Sequence, residues 1–484
     1  MTPPPPPPMC ADKDLLLTTP LARRLYHEVA RDLPLIDYHC HLDPQTLAED
    51  RQFQNLTQLW ITCDPYKHRA MRIAGVPEHD ITGPAPDRTK FDRWAATAPL
   101  TLGNPLHTWT SLELRRAFGI ETPLTPATAD PIWRTVNDLL RTSPAHTARG
   151  LLEQCRTTAL CTSDRLLDDL SPHAALARSG WTMDVRPSLR GDCILATDTP
   201  GWSEWVRRLG TATSVNITDP DAFLAAIRIR LDAFDALGCR LADHACDPFA
   251  WHTVTRDEFA TLLTRRLASP LPPDPASPDA IRDTIRLRSG LLLYLGTEYA
   301  RRGWIMQLHL GAQRHTSTRL RRLLGPAGGY AGIGAPTDIS ALCHCLDDLE
   351  QADALPRTIL YPLHPADYAP FAALTGSYVA DHTPGLIQFG PAWWHNDHAH
   401  GIRAHLDALS SIGLLATFIG MNTDSRSLLS QMRHDYFRRV FCDWLGERAA
   451  AGHFPSSPGE LAPLVRAVCH DNAARALRLP ISST

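Results

Sequence analysis

The chain has 484 residues, 44% hydrophobic and 21% charged, the make-up of a globular protein with a large core. A formal net charge of −4 excludes a globally basic surface of the kind that holds nucleic acid. No apolar run reaches the ~18 residues that a helix needs to span a bilayer, and no membrane partner is expected.

Taken in order, the chain opens on a proline-rich stretch over 1–13 (M-T-P-P-P-P-P-P-M-C-A-D-K). It lacks the charged and apolar regions of a signal peptide and is expected to be a disordered tail. Residues 14–32 have helical character, with Pro20 as a possible break. The stretch L-P-L-I-D-Y-H-C-H-L-D-P at 33–44 begins as a buried strand and ends in polar groups. His39 and His41 are two residues apart, so in extended chain both rings face one side and can share a divalent metal. Residues 44–155 are mostly helical and rich in tryptophan (Trp60, Trp94, Trp109, Trp133), which predicts a helical insertion subdomain after the first strand.

Seven further apolar runs follow, separated by helical segments: 157–161, 181–185, 239–242, 304–308, 358–363, 385–389 and 414–421. Strands alternating with helices imply a parallel sheet, and eight of them predict a closed (β/α)8 barrel built from 14–43 and 156–484. An open doubly wound sheet competes, but no candidate strand is followed by the glycine-rich dinucleotide fingerprint. Helices over 428–478 close the fold. In such a barrel the active site lies where the strands end. The predicted ends carry His39 and His41, then Thr162 and Asp164, Arg186 and Arg190, Asp243 and His244, His309, His364, Trp393 and Trp394, and finally Asp424 and Arg426. Recurrent histidine with a closing aspartate suits a metal site.

Twelve cysteines without a C-x-x-C spacing point to reduced thiols in a cytoplasm. The only lysines are Lys13, Lys67 and Lys90, so none is available later in the chain to bridge two metals or form a Schiff base. Cys343-His344-Cys345 has no second pair of matching spacing and is expected on a helix. His395, His398, His400 and His405 are expected in a solvated loop and helix start, with no second metal.

Several blocks carry a resemblance. They are D-Y-H-C-H-L at 37–42, Y-K-H-R-A-M-R at 66–72, K-F-D-R-W-A-A-T at 90–97 and G-N-P-L-H-T-W-T at 103–110. Later come Q-L-H-L-G-A at 307–312, P-G-L-I-Q-F-G-P-A-W-W at 384–394 and G-M-N-T-D-S-R-S at 420–427. From about residue 22 to 478 the chain resembles the uronate isomerases of the amidohydrolase superfamily, whose fold is a (β/α)8 barrel of the metal-dependent hydrolase type.

The resemblance implies an aldose–ketose isomerase of hexuronate catabolism, acting on D-glucuronate and D-galacturonate. It implies a divalent metal, zinc, on His39, His41 and Asp424, with no organic cofactor. Asp424 would carry the proton, Arg426 would stabilise the enediolate, and Tyr66 would donate or relay a proton. Arg190 and Arg69 would bind the carboxylate, Trp393 or Trp394 would pack on the sugar, and His309 would be a weak ligand or substrate contact. The expected partners are a small hexuronate and further copies of the chain.

The chain departs from the family pattern at four places. Pro65 stands where a histidine is usual, His68 and Leu189 replace tryptophans, and His364 replaces an asparagine. The Pro65 change implies a slower enzyme, a substitute in His68, or a different preferred uronate. A metal-dependent hydrolase of the same superfamily and a non-catalytic uronate-binding protein are the alternatives.

Overall fold

A computed structural model describes residues 13–480. The expectation for the proline-rich tail therefore lies outside the described residues, apart from Lys13. Pro20 does not break a helix but starts one. It opens the helix Pro20–Leu25, whose N-cap Thr19 accepts a hydrogen bond from the Ala22 N–H.

The sheet is parallel and seven-stranded, in the order β1-β2-β3-β4-β5-β8-β9. Its strands are β1 (Leu35–Asp37), β2 (Thr157–Arg165), β3 (Asp184–Arg190), β4 (Leu241–Ala245), β5 (Ile305–Leu310), β8 (Thr358–Pro362) and β9 (Ile387–Phe389). A short antiparallel ladder of β6 (Ala312–Gln313) and β7 (Gly332–Ile333) stands apart, on the excursion after β5. Strands such as β5 (I-M-Q-L-H-L) are buried at every residue, as a sheet covered on both faces requires. β3 starts three residues later than the apolar run suggests, because Gly180 (φ +72°) and the bends after it occupy the run's first half. Pro187, which has no N–H to give, sits where β3 is in register with β2 and not yet with β4.

The expected eighth strand, Leu414–Met421, does not form. Leu415–Thr417 is a 3-10 turn and the following residues run extended without a ladder. Gly420 (φ +88°) breaks the strand geometry, and a Cβ there would meet the Val468 carbonyl oxygen at 2.2 Å. The segment still closes the barrel. On one side the Gln388 side chain accepts from the Ile419 N–H at 3.0 Å. On the other, Tyr38 Oη donates to the Gly420 carbonyl, Asp424 N–H to the His39 carbonyl, and His41 N–H to the Ser425 carbonyl. Buried Asp37 reinforces this seam by accepting from Thr423 N–H at 2.9 Å and Gln431 Nε2 at 2.7 Å. The architecture is a (β/α)8-type barrel whose eighth stave is bonded largely through side chains.

Between β1 and β2 every regular element is helical, including Pro65–Ile73, Asp87–Thr97 and Pro105–Phe118. Their buried side chains, Trp60, Met71, Phe91 and Trp94 among them, share one continuous core with the barrel. Lys67 is almost wholly buried, with Nζ 2.6 Å from Asp64 and 3.2 Å from Glu113, below the Trp60 ring. Asp64 also caps the helix Pro65–Ile73, accepting from the Tyr66 and Lys67 N–H groups. The helix that carries Tyr66 and Arg69 is thus fixed from below. No helix among the described residues is long and apolar enough to cross a membrane.

Candidate active site

The strand ends surround a cavity of about 340 Å³. Every residue to which the family resemblance gives a role lines it: His39, His41, Tyr66, Arg69, Arg190, His309, Trp393, Trp394, Asp424 and Arg426. His39 and His41 follow β1 and turn to the same point. His39 Nε2 lies 3.5 Å and His41 Nε2 2.9 Å from Asp424 Oδ1. Asp424 holds a left-handed backbone conformation (φ +44°) that asparagine and aspartate tolerate best. Its Oδ2 accepts from Trp394 Nε1 at 2.7 Å. Burial alone would raise the Asp424 carboxyl, yet the hydrogen bonds and charges of His39 and His41 hold it well below the usual carboxylate range. Burial dominates at His41 and lowers it, whereas Asp424 and Asp243 together raise His39 against its burial.

Two imidazole nitrogens and a carboxylate oxygen within 4.8 Å of one another are donors of the types that zinc takes, so these residues fit a divalent ion. His39 Nδ1 is buried and has no hydrogen-bond partner among the described residues. A second group of three, His39, Asp243 and His309, shares His39 with the first. There His309 Nδ1 is 2.6 Å from Asp243 Oδ1, and its ring stacks on Tyr361 at 4.4 Å and meets Trp393 edge-on at 4.8 Å. Burial would raise Asp243, but His309, His39 and Arg190 hold it below the usual range.

Tyr66 reaches the cavity from the helical segment. Arg433, fully buried, sits 4.7 Å over its ring and 4.1 Å over that of Trp109. Burial raises the Tyr66 phenol well above its ordinary value, so it stays protonated at neutral pH, although Arg433 opposes the shift. Arg69 lies one helical turn on from Tyr66, on the same face, and donates to the carbonyls of Gly329 and Ala331. Arg190 Nε donates to Asp192 Oδ2 at 2.8 Å. Arg426 lines the cavity, and its side chain makes no hydrogen bond or ion pair among the described residues.

The sequence model of the glucuronate isomerase family matches residues 9–477. The chain belongs to that family. The uronate isomerase of Vibrio vulnificus (strain YJ016) is 42% identical over 466 residues, which is 96% of this chain and 97% of the relative. That of Bacillus pumilus (strain SAFR-032) is 40% identical over 462 residues, covering 96% and 95%. The crystal structure of the uronate isomerase from Thermotoga maritima superposes with a TM-score of 0.88 at 28% identity, covering 96% of this chain and 99% of that one. The glucuronate isomerase from Caulobacter crescentus has the same fold, with a TM-score of 0.88 at 24% identity over 97% of each chain.

Several polar residues expected at the strand ends face elsewhere. Asp164 and Thr162 turn outward to His173 on the helix Ser171–Arg178, where the Thr162 hydroxyl lies 2.7 Å from Asp164 and 2.8 Å from His173. Arg186 pairs with Asp184, His244 lies 2.9 Å from the Tyr299 hydroxyl, and His364 caps the short helix Pro365–Asp367. His68 does not substitute for a histidine at position 65. Two residues on from Tyr66, it faces the other side of its helix, 2.8 Å from the Ile61 carbonyl, and is absent from the cavity wall.

His395 corrects the expectation of a solvated loop, since it lines the cavity with Nε2 3.1 Å from the Ala331 carbonyl. Of the neighbouring histidines, His398 caps the helix Ala399–Ile412 and His405 is buried against Phe389. Asp243, expected only as a polar strand end, also lines the cavity, as do Arg165 and Arg314, for which the sequence suggests no role. Strand alternation offers a signal for Asp243, because in β4 the neighbour of an outward His244 points inward.

Proposed function

We propose that this chain interconverts D-glucuronate with D-fructuronate, and D-galacturonate with D-tagaturonate, by moving a proton between C2 and C1 of the open-chain sugar. A base must take the C2 proton, which is acidic only through the neighbouring carbonyl, and the enediolate that forms needs positive charge beside it. Asp424 is the base. Its depressed basicity keeps it ionised and ready, and it leaves the task of acidifying C2–H to the charge around the carbonyl. Arg426, without a carboxylate partner among the described residues, supplies that charge from the same segment. Tyr66, kept protonated by burial and held by Arg433, gives or returns a proton at the substrate oxygens. Arg190 and Arg69 bind the distal carboxylate, Trp393 and Trp394 cover the sugar face, and His309 is a substrate contact braced by Asp243.

When bound by His39, His41 and Asp424, a divalent ion supplies fixed positive charge at the reacting end; zinc is the ion we propose for this donor set. No organic cofactor enters the scheme. A cytoplasmic home is supported by the free state of every described cysteine. Homo-oligomeric assembly, and a helical insertion subdomain over 44–155 that delivers Tyr66 and Arg69, complete the proposal.

The observation that carries this reading is the meeting of Asp424, Arg426 and Tyr66 in one cavity of a glucuronate isomerase family chain. It favours isomerisation over the hydrolase and binding-protein alternatives. The test is incubation of metal-replete protein with each uronate and assay for the ketose. Ketose formation is the expected result, and no turnover of either sugar would defeat the reading.

A further inference from the structure

Arg165 ends β2 and Arg190 ends β3, and the two are register partners on adjacent parallel strands. Both line the cavity. Like charges side by side on neighbouring strands repel, so such a pair calls for an anion. Arg190 has one: Asp192, itself anchored by accepting the Ala245 N–H at 2.8 Å. Arg165 has none. Its backbone N–H bonds to Asp168 at 2.8 Å, but its guanidinium makes no hydrogen bond or ion pair among the described residues.

The other arginines of the cavity are differently placed. Arg69 is engaged with two carbonyls. Arg314 is 2.8 Å from Asp247 and lies over the Trp394 ring. Arg426 belongs to the segment of Asp424.

We infer that Arg165 is a third guanidinium for the substrate's distal carboxylate, beside Arg69 and forming with its strand neighbour Arg190 a two-armed clamp that selects uronates over neutral sugars. This rests on the uronate reading above and adds to it a residue and a direction. The carboxylate end of the open chain lies toward β2 and β3, and C1 and C2 lie toward Asp424. Two planar forks on adjacent strands match the two oxygens of a carboxylate, and Asp192 neutralises only one of them, so the empty clamp keeps a net positive charge.

The test compares wild type, Arg165→Gln and Arg165→Lys, all metal-replete. Kinetics on D-glucuronate are paired with calorimetric titration of L-gulonate, which keeps the carboxylate but lacks the reactive aldehyde, and of D-glucitol, its neutral counterpart. A charge-assisted fork at a partly exposed site predicts that Arg165→Gln raises KM by roughly 10-fold or more while kcat changes by less than about 3-fold. The preference for L-gulonate over D-glucitol should fall by a similar factor, and Arg165→Lys should recover part of both. An active wild type whose Arg165→Gln variant keeps its KM and its L-gulonate preference overturns the clamp and leaves the isomerase reading standing. A wild type that prefers L-gulonate through Arg165 but converts no uronate supports the clamp and overturns the isomerase reading.

Discussion

Replacing Lys67 with methionine removes the cation that holds the helix Pro65–Ile73 from below. In the folded chain Lys67, Asp64 and Glu113 are each about 1% exposed. Losing the ammonium leaves two carboxylates in an apolar setting, a change that costs about 3–5 kcal/mol when one partner of a buried pair is deleted. Asp64 keeps its two backbone N–H donors and Glu113 keeps Trp60 Nε1, while Glu113 Oε1 has no partner even in the native state. The lower end, about 3 kcal/mol, is therefore expected. An unfolding entropy of ~2.1 cal/mol/K per residue amounts to about 1 kcal/mol/K over a chain of this size, so Tm should fall by about 3 °C in scanning calorimetry. Activity should fall with it, because Tyr66 and Arg69 ride on that helix. Adding Glu113→Gln to the same chain should recover at least half of the loss. A Lys67→Met protein that melts with wild type, or a double variant no better than the single one, would refute the argument that this buried triad fixes the helix.

Tyr66→Phe keeps the ring against Arg433 and Trp109 but removes the proton donor, so kcat should fall by about 100-fold with KM little changed; equal losses in both would instead indicate a packing role. His405, against Phe389 and Phe418, is pushed down to about 4 by burial. Its folded value lies below the unfolded one of ~6.5, so the stability it confers is complete above that pH and is lost as pH falls toward 4. Between pH 7 and 4.5 this one group should account for about 2–3 kcal/mol, a loss that His405→Phe escapes in urea titrations run at both pH values. Parallel loss of stability in the two proteins would show that the ring is not held neutral.

Much of the barrel is legible because parallel strands buried on both faces appear as short apolar runs, as at β5 and β8, where run and strand nearly coincide. The eighth stave misleads for the same reason. Leu414–Met421 is apolar enough for a strand, but Gly420 and the positive φ of Asp424 hand its bonds to side chains of Tyr38, Asp37 and Gln388, far off in sequence. The histidine pair, Asp424 and Arg426 are legible since they sit at strand ends beside family motifs. His395 is not, because W-W-H-N-D-H-A-H has the composition of a wet loop, and only the carbonyl of Ala331 on the distant excursion after β5 makes it part of a wall. The helical register of Tyr66 and Arg69, three apart, already separates them from His68. The Lys67–Glu113 contact spans 46 residues and leaves no local trace.

The measurement that bears most directly on the account is proton NMR of D-glucuronate with metal-replete protein in deuterated water. Proton transfer by Asp424 through an enediol predicts D-fructuronate with deuterium entering at C1, and deuterium at C2 in the glucuronate recovered. An Asp424→Asn variant should do neither. Ketose formed at full rate with no deuterium at either carbon would contradict the assignment of Asp424 as a base in exchange with solvent.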